Sequence, residues 1–333
     1  MNTRLHCMTI TAAVFGSILS FGPALAADAP AAPAPGKENK PLSIAVIPKG
    51  TTHSFWKSVE AGARAAGKEL NVEILWKGPL KEDDRADQIK VVEQFTGQGV
   101  SGIVLAPLDD TALRRPVRAA VTAGVPVVIF DSAIKATAGK DFVSFVATDN
   151  KLGGSIAGEH LAKLLGGKGK VVLLRYQEGS ASTMEREAGF LEAIEKNPGI
   201  TITVKNRYAG ATTGEAKTAA LQLADQLKEA DGVFCPNESS TFGMLLALKQ
   251  LGLAGKIKFV GFDASADLLK GLQADEIQGL VAQNPTKMGY EAVKAIVAHL
   301  RGQKVEQRID SGCRLVTKAG LSDPETRKIV GLE

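Results

Sequence analysis

Several short apolar runs in this sequence end on Asp, Asn, Gln or Lys, the residue types that can grip neighbouring hydroxyl groups. Lys49 and His53 follow IAVIP, Asp131 follows PVVIF, Thr148 follows FVA, and Gln177 follows VVLLRY. Further on, Asn237 follows GVFCP, Asp263 follows KFVGF and Gln283 follows GLVA, while Arg186 sits at a helix start in TMEREAGF. A carboxylate, carboxamide or guanidinium is planar and can bond two vicinal hydroxyls at once. Phe55 and Trp56 stand side by side in a chain with only 5% aromatic residues. Neighbours about 100° apart on a helix cannot both face one core stripe. One ring is therefore expected to staple the helix to the core and the other to offer its face to solvent or ligand. Together these residues have the composition of a carbohydrate site.

Each has a plainer explanation. Asp131 and Asp263 could serve only as turn or cap residues, but their matching places in two halves of the chain favour binding. Arg186 beside Glu185 fits an exposed charged helix face, and Asn237 fits the cap of a helix beginning near Ser239. His53 has no His or Cys at ligand spacing, and His160 and His299 fall on helical stretches, so no metal is expected. No G-x-S-x-G elbow, G-x-G-x-x-G after the first strand or G-x-x-x-x-G-K-[ST] occurs. No enzyme activity and no cofactor are expected. A net charge of +4 is too small to argue for nucleic acid, and Arg114, Arg115 and Arg118 read as one solvated helix face.

The elements that must position these residues alternate. Strands are expected at Ser43–Ile47, Val72–Trp76, Gly102–Ala106, Val125–Phe130 and Val143–Ala147. Five more are expected at Lys170–Arg175, Thr201–Lys205, Gly232–Cys235, Lys256–Gly261 and Ile277–Ala282, with helical patterns between most of them. Continuous apolar strands separated by helices imply parallel sheets covered on both faces, a doubly wound α/β class. Gly166–Lys170 reads as a turn ahead of a strand. SGIVLAPLDDTAL echoes DGVFCPNESSTFGM, and VPVVIFDSA echoes IKFVGFDAS, in the same order. Two similar sheets fit 333 residues better than one, and open α/β sheets bind ligands outside the carboxyl ends of their strands.

Arg4, the apolar run from about Ile10 to Phe21 and Ala24-Leu25-Ala26 read as a secretory signal peptide over 1–26. Ala27–Pro41 reads as a Pro/Ala-rich linker, and the mature chain is expected in the periplasm. Cys7 lies ahead of the apolar run, leaving Cys235 and Cys313; sequence alone does not show whether they meet.

The motifs VIFDSA, VATDNKLGG, EREAGF, GVFCPNE, FVGFDAS and VAQNPTKMGYEAV, in this order and spacing, resemble the periplasmic sugar-binding proteins of ABC importers. The likeness is to the ribose-binding-like, type I branch, which shares its fold with the ligand-binding core of lac-type repressors, and it spans about Leu42–Thr317. A repressor would carry a helix-turn-helix ahead of the first strand, where this chain has a leader and a tether. The resemblance implies two Rossmann-like lobes joined by a three-crossing hinge, with crossings near Asp131–Asp149, Gln283–Pro285 and Gly312–Cys313. The lobes would be 42–148 with 284–312, and 149–283 with 313–333. It implies a monomer that closes on a small polyhydroxylated ligand and delivers it to a membrane permease. A sensory receptor feeding a chemoreceptor or histidine kinase would carry the same features.

The resemblance further implies that Phe55 and Trp56 stack on the ligand, with His53 just before them. Asp131, Arg186, Asn237, Asp263 and Gln283 would hydrogen-bond the ligand, Thr148 and Gln177 would touch it at the lobe junction, and Phe262 would be a further stacking residue. IAVIPK, WKGPLKEDD and IFDSAIK look more like autoinducer-2- and rhamnose-binding relatives, in which a lysine at the position of Lys49 helps hold the ligand. Lys49 beside Arg186 would suit a sugar acid or a ligand rich in acceptors.

Overall fold

The computed structural model describes residues 11–13 and 41–332, so the expected leader and linker fall almost wholly outside the described residues. The first run of elements is β1 (Ser43–Ile47), α1 (Ser54–Leu70), β2 (Glu73–Trp76), α2 (Arg85–Gln98), β3 (Gly102–Leu105), α3 (Arg114–Thr122), β4 (Val127–Phe130) and β5 (Phe145–Ala147). The second is α4 (Asn150–Leu164), β6 (Lys168–Arg175), α5 (Ala181–Glu195), β7 (Gly199–Tyr208), α6 (Thr213–Leu221), α7 (Ala224–Lys228), β8 (Gly232–Phe234), α8 (Glu238–Gln250), β9 (Lys258–Phe262), α9 (Ala266–Gln273) and β10 (Gly279–Gln283). The chain then runs through α10 (Pro285–Leu300), β11 (Arg308–Asp310), β12 (Cys313–Val316) and α11 (Pro324–Ile329).

These strands form two six-stranded sheets of the same plan, β11-β5-β4-β3-β1-β2 and β12-β10-β9-β8-β6-β7. β3 and β8 take equivalent places, as do β4 and β9, which is the physical basis of the two sequence echoes. Pairing is parallel throughout except where β12 runs antiparallel to β10. Both faces of each sheet are covered, so the inner strands are apolar at every position: β3 is GIVL and β4 is VVIF, all buried. In the first lobe α1 and α10 cover one face, where Val59, Ala63, Val293 and Ile296 pack, and Val91, Phe95 and Val117 of α2 and α3 cover the other. In the second lobe Ala157, Leu161, Phe190 and Ile194 of α4 and α5 fill one side, and α6, α8 and α9 the other.

All ten expected strands are present, with ends moved by a few residues. β11 and β12 were not expected. Each lies at the edge of its sheet and pairs with a single strand, and β11, reading RID, is exposed at both ends; neither carries the apolar run that marks an inner strand. Gly166 and Gly167 turn the chain into β6 with φ of +63° and +75°. The chain passes between the sheets after β5, after β10 and between β11 and β12. Cys235 and Cys313 are free thiols packed on opposite faces of the second sheet; they do not pair. Among the described residues no helix is long and apolar enough to cross a membrane.

Candidate functional site

The carboxyl ends of the two sheets face one another across a cleft. Nine expected residues meet there: Lys49, His53, Phe55, Trp56, Asp131, Arg186, Asn237, Asp263 and Gln283 line one cavity. Glu82, Tyr176, Ser182, Thr183 and Glu238 line it too.

From the first lobe, Asp131 leaves β4 with φ of +60°, and from the second Asp263 leaves β9 with φ of +70°. Asp tolerates this left-handed conformation better than most residues, so each carboxylate turns from its strand end into the cleft. Asp131 lies 2.9 Å from the Lys49 ammonium, both nearly fully buried. That contact is off hydrogen-bond geometry, and Asp131 Oδ2 keeps an acceptor without a donor. Lys49 Nζ donates instead to Ser182 Oγ at 2.9 Å and, at 3.4 Å, to Ser180 Oγ. The Lys49 charge is thus matched within the site by Asp131.

Asp263 accepts from Gln283 Nε2 at 2.8 Å and from the backbone N–H of Glu238 at 2.7 Å, while Gln283 Oε1 is buried with no partner. Burial lifts the Asp263 carboxyl to about 6, against the opposing pull of Arg186 and Gln283. Arg186 is 2% exposed, which excludes a solvated helix face; Glu185 next to it is exposed. Its Nε donates to Asn150 Oδ1 and its Nη1 to the Pro236 carbonyl, each at 2.9 Å. Its guanidinium lies 3.9 Å from the centre of the Phe262 ring, a cation–π seat for a buried charge. The helix carrying it is brought in by close approach: a Cβ at Gly154 of α4 would sit 1.9 Å from the Arg186 carbonyl oxygen. Asn237 lines the cleft and also caps α8, its Oδ1 accepting from the Ser240 N–H.

Trp56 is 3% exposed and belongs to the core of the first lobe. Phe55 is half-buried and meets it edge-on at 4.9 Å. Trp56 Nε1 donates to Glu82 Oε1 at 2.7 Å, His53 Nδ1 lies 2.6 Å from the same oxygen, and Tyr176 Oη donates to Glu82 Oε2 at 2.8 Å. Burial disfavours a charged His53, but Glu82, with Glu238 and Asp263, outweighs it and raises the imidazole to about 9. Burial likewise opposes the Glu82 carboxylate, yet His53, Lys49 and Trp56 lower it to about 2.

Three expected residues lie off the cavity. Phe262 is fully buried beneath Arg186. Thr148 is buried at the crossing, bonded to Ser311 Oγ and the Gly312 carbonyl. Gln177 stands one residue beyond Tyr176, which is the side chain that enters the cleft. Tyr176 was missed because one step along an extended chain reverses the side-chain direction. Glu82 was missed because nothing separates it from its exposed neighbours Asp83 and Asp84; its loop after β2, at the binding edge of the sheet, was the available signal. Glu238 follows Asn237 at a strand end, which was its available signal, and Ser182 and Thr183 carry none beyond their places at a helix start. The cavity, about 30 Å³, is lined by groups of both lobes. Among the described residues no cluster could hold a metal ion.

Residues 44–304 match the family model described as periplasmic binding protein domain. The ribose import binding protein of Salmonella typhimurium is 29% identical over 280 residues, 83% of this chain and 90% of that protein. A carbohydrate transporter solute-binding protein from Agrobacterium radiobacter, solved with D-arabinose, is 34% identical over 87% of this chain and 99% of its own, with a TM-score of 0.83. An ABC transporter solute-binding protein from Agrobacterium vitis, solved with D-fucose, is 35% identical over 86% and 98%, with a TM-score of 0.82. These relatives are sugar-binding transport proteins, not enzymes. Two like parallel-sheet lobes with their strand ends facing across a polar cleft, matched along most of their length by such relatives, place this chain in the periplasmic binding protein family, among its ribose-binding-like, sugar-binding members.

Proposed function

We propose that this protein captures a neutral monosaccharide between its lobes and hands it to the membrane permease of an ABC importer. The observation that carries the reading is the pair of buried acceptors at facing strand ends: Gln283 Oε1, which has no donor in the protein, and Asp131 Oδ2, which has the Lys49 ammonium 2.9 Å away but off hydrogen-bond geometry. A buried acceptor left unpaired costs about 1–3 kcal/mol, and a sugar hydroxyl is the donor that fits. Charge argues against an anionic ligand, since Lys49 is met by Asp131, His53 by Glu82, Arg186 faces Asp263, and Glu238 adds a further carboxylate to the lining. The relatives solved with D-arabinose and D-fucose put pentoses and deoxyhexoses first among candidates.

In this reading Asp131, Asn237, Asp263 and Gln283 bond hydroxyls, Arg186 braces the ring oxygens, and Phe55 covers an apolar face. Trp56, His53 and Lys49 hold the wall, with Thr148, Gln177 and Phe262 behind the contact layer. The signal peptide is removed after Ala26, the linker carries the receptor in the periplasm, and it acts as a monomer. The first lobe comprises 42–148 and 284–312, the second 149–283 and 313–333.

The test is the melting temperature against a panel of pentoses, hexoses, deoxy sugars, sugar acids, polyols and autoinducer-2. A ligand at about 100 times its Kd adds about 2.7 kcal/mol, or roughly 5 °C for a chain of this size. A shift with one neutral sugar class, lost in Asp131→Ala and Gln283→Ala, supports the reading. A shift with sugar acids alone overturns the neutral ligand, and no shift at all overturns the sugar.

A further inference from the structure

Helix α1 starts without a cap of its own: the His53 side chain makes no cap hydrogen bond, and the first turn holds no acidic residue. The first N–H groups of a helix have no partner within it and draw negative charge. Here a carboxylate from the opposite lobe meets them. Glu238 Oε1 accepts from the Ser54 N–H at 3.3 Å and Oε2 from the Phe55 N–H at 3.0 Å. Across the same cleft the arrangement is returned, because Glu82 of the first lobe accepts from Tyr176 of the second at 2.8 Å. Tyr176 is in turn held by Glu187, which accepts its backbone N–H at 3.0 Å and pairs with Arg175 at 2.6 Å.

We infer that Glu238 and Tyr176 are positioning residues for lobe closure, each completing a carboxylate clasp whose other half belongs to the opposite lobe. Both clasps are direct contacts between protein groups, so they bias the hinge toward closure before any sugar binds. The bias has a consequence for affinity. A receptor already partly closed loses less binding free energy to the conformational change. The inference rests on the two-lobe receptor reading but not on which sugar is bound.

The experiment is small-angle X-ray scattering of the protein without sugar, for wild type, Glu238→Gln, Tyr176→Phe and the double variant. Far-UV circular dichroism and melting temperature are recorded in parallel. Tyr176→Phe keeps the ring and its packing, and Glu238→Gln keeps one acceptor for the helix but loses its charge. Wild-type scattering should match the closed arrangement. Each variant should raise the ratio of open to closed molecules about tenfold, seen as a larger radius of gyration with unchanged circular dichroism. A lower melting temperature with wild-type scattering means a merely structural role and overturns the inference. Wild-type scattering that fits separated lobes, or curves that coincide for all four proteins, overturns it too. Because no ligand is present, a failed sugar assignment cannot imitate any of these outcomes.

Discussion

Lys49 and Asp131 illustrate what a buried pair demands of its neighbours. Removing the carboxylate in Asp131→Ala strands an ammonium in a site closed to water. The unfolding free energy in urea should fall by about 3 kcal/mol, beyond any loss of sugar binding; Lys49→Met should cost at least as much, because Lys49 keeps Ser182 and Ser180 as acceptors when Asp131 is removed, while Asp131 Oδ2 has no other donor. His53 and Glu82 make a second prediction. Glu82 titrates in the fold at about 2, below its ordinary 4.5, so its stabilisation is present above about 4.5 and lost as pH falls through 2. His53 titrates at about 9, above its ordinary 6.5, so its stabilisation is present below about 6.5 and lost as pH rises through 9. The pair is one interaction, worth on the order of 3 kcal/mol. Melting temperature should decline between pH 6.5 and 9, and His53→Gln should lack that decline. Asp263 has the opposite sign to Glu82. Its carboxyl is raised from 3.8 to about 6, so it subtracts stability as pH climbs between those values, and Asp263→Asn should flatten that part of the curve.

At the level of elements, the site depends on how closely helices approach. Gly154 on α4 and Gly189 on α5 each face the other helix's backbone; a Cβ there would lie 1.9 Å from the Arg186 carbonyl and 2.0 Å from the Lys151 carbonyl. An added methyl cannot be absorbed by a side-chain rotation, because the obstacle is main chain. Gly154→Ala should cost about 1–3 kcal/mol in thermal or urea unfolding. It should also weaken sugar binding by pushing α5, and with it Arg186, away from Asn150 and the Pro236 carbonyl. The strand ends are less demanding in packing but strict in conformation: the left-handed φ of Asp131 and Asp263 is what turns consecutive extended residues toward the cleft.

For the molecule as a whole, the crossings between lobes decide how it moves. At the third, Gly312 has φ of +81° with open space where a Cβ would lie. Gly312→Ala therefore clashes with nothing yet strains the backbone, and should cost about 1 kcal/mol in stability. Sugar preference, read from the thermal-shift panel, should not change, because no ligand-facing group moves. Arg308 steadies the same region by donating to the Ala147 and Thr148 carbonyls, bonds of 2.7 and 3.1 Å between the first and third crossings.

The sequence by itself determined the doubly wound class, the ten inner and outer strands with apolar runs, the duplicated plan and the strand-end polar residues. These are local properties, since a buried parallel strand must be apolar at every position and the residue after it must meet water or a ligand. Tertiary structure alone decided β11 and β12, because an edge strand borrows its order from a neighbour. It also decided the matching of Lys49 with Asp131, the seat of Arg186 on Phe262, and the entry of Tyr176 rather than Gln177. Glu82 and Glu238 show the limit most clearly. One is a glutamate in an acidic loop that meets Trp56 and His53 of its own lobe and Tyr176 of the other, and the second is a glutamate at a helix start that meets the opposite lobe's helix α1. Hydrogen bonding across a cleft depends on distances between residues far apart in the chain, here 183 and 94 positions, and no local pattern encodes them.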